Sequence, residues 1–295
     1  MPIDVHQHLW GPAFVDALRR RTAAPRLDGW TLHVAGEAPY EVDPAAHDVA
    51  RRTAAVADDG FSLALTSLSS PLGIEWLPSE QASPLLDAYH ADALALPDPF
   101  GAWAAAALAE IDVPALARLL DQGFAGLQLP ATALLDPAGY DRCGPLLDLL
   151  EERDLPLFVH PGSAPAGDGP AWWPALVPYV QQMHATWFAF RAFGRPRHPR
   201  LRICFALLAG LAPLHGERLS ARGGGRGEVD RGAYVETSSY GPRAVDAMVR
   251  AIGIDTIVCG SDRPYARPPD GFGLGDAAER AIRVSNPHRL LAGKD

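Results

Sequence analysis

The sequence predicts an α/β fold, a (β/α)₈ (TIM) barrel, and three observations predict it. Eight short runs are almost wholly apolar, longer amphipathic segments separate them, and no linker divides the 295 residues. Near-continuous apolar runs suit parallel strands covered on both faces. Strands alternating with helical segments give βα units, which an open doubly wound sheet shares; eight such units favour a closed barrel. Barrels of this kind take roughly 250 residues and more with insertions, so we expect one domain over residues 1–295.

The apolar runs place strands at residues 3–9, 62–68, 101–107, 126–129, 155–160, 201–207, 233–237 and 255–260. Helical patterns at 44–58 and 79–95 precede the second and third strands, and those at 113–122 and 144–152 follow the third and fourth. Residues 172–193, 211–221, 243–252 and 275–283 complete the set. The stretch 26–42 does not suit a helix: two short strand-like pieces lie around Gly29 and Gly36, and a small β-hairpin inserted after the first strand is expected.

Composition narrows the function. A net charge of −9 with no basic stripe argues against nucleic acid. The 28 Gly and 28 Pro are scattered through turns, which indicates many short connections. Three cysteines, Cys143, Cys204 and Cys259, lie far apart with no CxxC spacing, so neither a disulfide framework nor a zinc knuckle is expected. The chain opens directly into a strand and its apolar runs are too short to span a bilayer. A cytoplasmic protein with a small-molecule substrate and no membrane partner is the expectation, and a homodimer is left open.

The chemistry begins at IDVHQHLW, where His6 and His8 are two apart in the first strand. Side chains at that spacing share a face, the face is the barrel interior, and active sites of barrels sit at the C-terminal ends of the strands. Alone, His-x-His also describes a surface turn. His160 closes the fifth strand in LPLFVHPG, where a satisfied strand-end histidine is the plain alternative, and Asp262 follows the eighth in CGSDRPY, where a turn or N-cap Asp is. Converging on one mouth, three His and one Asp suit a single divalent ion with an open position, zinc first and manganese second.

These motifs, together with GFAGLQLP at the fourth strand, HPRLRICFALLAG into the sixth and NPHRLL at the end, resemble the amidohydrolase superfamily. The resemblance is to the branch that includes aminocarboxymuconate-semialdehyde decarboxylase. It implies that His6, His8, His160 and Asp262 bind the metal. It also implies a histidine at the end of the sixth strand, as general acid/base or second-metal ligand, where this chain has Leu207. A binuclear site and the family's proton shuttle are therefore not expected. Asp262 becomes the first candidate to carry the proton, with His184 and His215 behind it. Trp10, Trp173, Tyr240 and Arg263, with Trp172 and Tyr265 nearby, are candidates to contact substrate, Arg263 by pairing with a carboxylate.

The leading functional expectation is a mononuclear metal-dependent hydrolase acting through an activated water on a small, aromatic or carboxylate-bearing substrate. The alternative is a non-oxidative, metal-dependent decarboxylase of a small aromatic or unsaturated acid. A barrel that binds metal or ligand without turnover stands third, on account of Leu207.

Overall fold

A computed structural model describes residues 1–35, 38–164, 169–225 and 229–292. Every residue of strand β1 (Ile3–Gln7) is buried, as expected of a strand covered on both sides. The insertion that follows forms β2 (Arg26–Asp28), β3 (Thr31–His33) and β4 (Tyr40–Glu41). The barrel continues with β5 (Leu63–Thr66), β6 (Phe100–Ala102), β7 (Ala104–Ala105) and β8 (Leu127–Pro130), then β9 (Leu157–His160), β10 (Ile203–Phe205), β11 (Ala233–Glu236) and β12 (Ile257–Val258). All pairs within the barrel are parallel.

Strands β6 and β7 are two halves of the third barrel strand, broken at Trp103. The Trp103 amide donates to the Thr66 carbonyl at 2.9 Å and its indole to the Val5 carbonyl at 2.9 Å, so the break is held from inside. The ring closes between the first and last strands. Val5 N donates to Cys259 O at 3.0 Å, Asp262 N to His6 O at 2.9 Å and His8 N to Arg263 O at 2.6 Å, with Gln7 and Arg263 in a parallel bridge. Eight strands in a closed circuit leave no sheet edge in the barrel.

Three helices begin at an aspartate. Asp48, Asp112 and Asp136 accept hydrogen bonds from Arg51 N, Ala115 N and Gly139 N, all at 2.8 Å, which satisfies an otherwise orphaned amide in each first turn. Two helices, Pro12–Arg19 and Asn286–Ala292, lie outside the patterns singled out in the sequence. Asn286 secures the second of these: it is fully buried and donates to Ile254 O at 2.8 Å and Ile257 O at 2.6 Å.

Two regions differ from the sequence reading. The insertion is three-stranded and antiparallel in the order β2-β3-β4, turning first at Gly29, whose φ of +61° suits glycine; Gly36 lies outside the described residues. The second difference follows β10. Residues 211–221 read as one amphipathic helix, but Leu208 to Leu211 have φ between +47° and +61°, a left-handed turn, and a right-handed helix forms only at Gly216–Ala221.

Below the barrel mouth, Glu75 is fully buried, and its carboxylate accepts from Ser70 Oγ while its Oε2 has no partner among the described residues. Burial pushes its pKa up to about 7 from 4.5. The folded protein therefore keeps this proton between pH 4.5 and about 7 while the unfolded chain has lost it. The resulting stability is complete below that window, declines as pH rises through it, and is gone above it, a change on the order of 3 kcal/mol. Glu75→Gln is expected to flatten this slope in urea denaturation followed from pH 5 to 8; an unchanged slope would show that Glu75 does not titrate there.

Candidate metal centre

His6 lies in β1 and His8 directly after it, His160 ends β9, and Asp262 follows β12, so all four come from strand ends at the same mouth. Their donor atoms lie within 4.8 Å of one another. His6 Nε2 and His8 Nε2 are 3.1 Å apart, and Asp262 Oδ1 lies 3.2 Å from His8 Nε2 and 3.5 Å from His6 Nε2. The three imidazoles meet edge to face, with centroids 4.9–5.0 Å apart.

The opposite nitrogen of each ring is held by an acceptor. His6 Nδ1 faces Glu236 Oε1 at 3.2 Å, His8 Nδ1 faces Ser67 O at 3.0 Å, and His160 Nδ1 faces Pro161 O at 2.8 Å. These acceptors place the proton on Nδ1 and leave each Nε2 lone pair turned inward. Two lone pairs 3.1 Å apart repel unless a cation lies between them. In a tetrahedral shell with metal–nitrogen bonds of about 2.0–2.1 Å, neighbouring donors stand ~3.3 Å apart. The residues present therefore fit a divalent ion.

Electrostatics agree with this. Burial, then the neighbouring His6 and His8, pushes the His160 pKa well down, and burial lowers that of His8. Burial opposes charge on Asp262 too, but His6, His8 and His160 outweigh it and hold the carboxyl below its usual range. For His8 and His160 a neutral ring, and for Asp262 an ionised carboxylate, are the protonation states a metal ligand set requires.

Glu236 is the residue that sequence reasoning missed. It is fully buried at the end of β11 and accepts from Leu207 N at 2.9 Å, from Ser238 N at 2.6 Å and from Ser238 Oγ at 2.6 Å, besides meeting His6. The available signal was an acid inside the apolar run AYVET. Gly260 makes room for it: a Cβ there would stand 2.2 Å from Glu236 Oε2 and 3.1 Å from His6 Cβ.

Backbone strain gathers around this centre. Leu207, Leu208, Ala209, Leu211, Ser239 and Asp262 all have φ between +47° and +63°, and all follow the C-terminal ends of β10, β11 or β12. Left-handed backbone costs a non-glycine residue roughly 1–2 kcal/mol, and such residues persist where surrounding contacts determine them. Here the turn is wedged against the helix Pro178–Ala189, so closely that a Cβ on Gly210 would come 2.4 Å from Val180 O.

The cluster opens on a cavity of about 790 Å³. Trp173, Tyr240 and Leu207 line it, as do Tyr40, Tyr179 and Tyr265. Other candidates lie elsewhere. Trp10 is buried, stacks on His47 at 4.7 Å and donates to Ser69 Oγ at 3.0 Å, so it supports the wall from behind. Arg263 is not part of the lining, because it grips Asp59 through two bonds of 2.6 and 2.8 Å. His184 and His215 are also absent from it; their rings pair with each other at 5.0 Å, since the left-handed turn occupies the space against the backbone of Val180 and His184.

Gly260→Ala is expected to push Glu236 off His6 and weaken metal binding about 10- to 100-fold, measured by competition with a chromogenic chelator, with the circular dichroism of the barrel retained. Glu236→Gln keeps one acceptor oxygen and should lose less. Equal affinity in all three proteins would remove Glu236 from the support of the site.

The model of the Amidohydrolase family, Amidohydro_2, matches residues 3–292. No curated protein matches the chain in sequence. Among solved structures, IDCase of Metarhizium anisopliae in apo form aligns with a TM-score of 0.81 at 16% identity, covering 100% of this chain and 98% of that one. The 5-carboxyvanillate decarboxylase of Novosphingobium aromaticivorans, with bound manganese and 3-methoxy-4-hydroxy-5-nitrobenzoic acid, aligns at 0.77 and 17% identity, covering 99% and 97%. The 2,6-dihydroxybenzoate decarboxylase from Rhizobium aligns at 0.70 and 18%, covering 99% and 98%. With a family match from one end of the barrel to the other, and the His₃Asp cluster at its mouth, the chain belongs to the Amidohydrolase family.

Proposed function

We propose that the protein is a non-oxidative decarboxylase, using one divalent metal ion and acting on a small aromatic or unsaturated carboxylic acid. The observation that carries this reading is the lining of the cavity. Among its described residues there is no Arg or Lys, so an acid entering it would find positive charge only at a divalent ion held by His6, His8, His160 and Asp262. The named activities of two structural neighbours, both decarboxylases of aromatic acids, support the same choice.

A divalent ion held by His6, His8, His160 and Asp262 would supply the positive charge that draws the acid's carboxylate, zinc and manganese both suiting this donor set. The chain's own residues do the rest. The aromatic and prolyl walls exclude water and lay a flat ring across the mouth. Asp262, with 16% of its side chain exposed, takes a proton from solvent or from a substrate hydroxyl. As the bond to the carboxylate carbon breaks, carbon dioxide leaves, the electron pair stays on the ring carbon, and Asp262 delivers its proton there. Atoms and charge balance with one proton carrier.

Hydrolysis, the first expectation from the sequence, would use the same carboxyl, since Asp262 can take a proton from water and pass it to the leaving group. His8 and His160 have their Nδ1 atoms committed, and no histidine from the helix Pro178–Ala189 or the turn after β10 lines the cavity, so Asp262 is the proton carrier in either reaction. The aromatic lining without Arg or Lys, together with the named activities of the neighbours, favours decarboxylation.

Three measurements test this. Elemental analysis of protein reconstituted with zinc or manganese should find about one ion per chain, and His6→Ala or His160→Ala should lose most of it while remaining folded. Carbon dioxide release from aromatic acids, with no ¹⁸O taken from water into product, should distinguish the reading from hydrolysis. Asp262→Asn should lower turnover roughly 10²- to 10⁴-fold per bound metal, whereas His184→Ala and His215→Ala should stay within a few fold. The reverse order would give the proton to a histidine.

A further inference from the structure

We propose that the acid this site takes carries a single carboxylate on an otherwise uncharged body, and that Leu207 enforces the selection. The inference rests on the decarboxylase reading and adds the substrate class to it. A divalent ion held by the cluster would neutralise one carboxylate. A second, elsewhere on the same molecule, would need its own cation, and the described lining holds none.

The nearest guanidinium groups are already occupied. Arg263 is locked on Asp59 by two hydrogen bonds. Arg52 is buried and spends its NH1 on the carbonyls of His8, at 2.6 Å, and Ala46, at 3.2 Å, and its NH2 on Gln7. Arg263 cannot turn toward the cavity without leaving Asp59, nor Arg52 without leaving His8 and Gln7. Just past β10, Leu207 presents an isobutyl group to the lining. A charged substituent there would lose its water and gain no partner.

What the cavity offers instead is apolar surface and phenols. Tyr240 and Tyr265 line it together with Trp173 and Leu176, so neutral oxygen substituents such as hydroxyl or methoxy groups find donors and the ring finds apolar walls. A volume of about 790 Å³ leaves room for a body larger than one benzene ring.

The test uses metal-loaded protein and binding rather than turnover. Isothermal titration compares 4-hydroxyisophthalate with the monoacid in which the carboxylate remote from the hydroxyl is its methyl ester, two probes of similar shape that differ by one charge. The ester is expected to bind at least about tenfold more tightly, because only the diacid buries an unpaired charge. Leu207→His should narrow that ratio, since histidine tolerates positive φ and brings a group that can hold a proton, whereas Leu207→Met should leave it unchanged. Equal or tighter binding of the diacid to the unaltered protein would overturn the proposal while leaving the decarboxylase reading intact. If neither probe shows metal-dependent binding, the decarboxylase reading fails, and the inference with it.

Discussion

Closure of the barrel between β1 and β12 is the constraint on which the site depends. The hydrogen bond from Asp262 N to the His6 carbonyl, at 2.9 Å, is at once a rung of that closure and the link between two members of the His₃Asp cluster 256 residues apart in sequence. His8 N binds the Arg263 carbonyl in the next rung. Arg52 then ties the seam from outside, reaching the His8 carbonyl and Gln7, while Arg263 reaches back to Asp59. Two arginines that a sequence reader would assign to substrate or solvent are spent on keeping the ring shut at the level of its chemistry.

A second layer of contacts turns closure into function. Three acceptors fix the three imidazoles, and they differ in kind: a carboxylate for His6, a distant carbonyl for His8, a neighbouring carbonyl for His160. Only the first adds charge. With Asp4 buried beneath His6 and accepting its amide at 3.1 Å, the region holds three acidic side chains close to one ring. An excess of negative charge behind the ligands raises the attraction of the site for a dication. It also accounts for His6, for which burial opposes protonation while Asp262, Glu236 and Asp4 together prevail and raise its pKa.

The sequence showed those parts of the site whose signal is local. His6 and His8 are two apart on a strand, and His160 and Asp262 mark strand ends by the Pro-Gly that follows one and the Gly-Ser that precedes the other. The eight barrel strands were legible because each is almost wholly buried and therefore mostly apolar. What remained hidden depends on tertiary partners. Arg263 meets Asp59 across 204 residues, and nothing near either one signals the pair. LLAGLAPL has the composition of a helix, yet the backbone takes the opposite hand where it is wedged between Glu236 and the helix Pro178–Ala189. Trp10 reads as a mouth aromatic, but stacking on His47, which sits in the insertion's exit, draws it into the core.

The three-stranded insertion has a consequence of its own. Val34, Pro39 and Tyr40, from the end of β3 to the start of β4, form one wall of the cavity, while none of the four clustered ligands belongs to it. The wall and the reactive centre are thus encoded in separate stretches of chain and joined only by the space between them. Evolution can rewrite residues 26–42 without disturbing a single strand-end donor, and so can an engineer. A family of catalysts with one shared chemistry and many appetites could be drawn from this scaffold by exchanging a seventeen-residue cassette, roughly the length of a long hairpin.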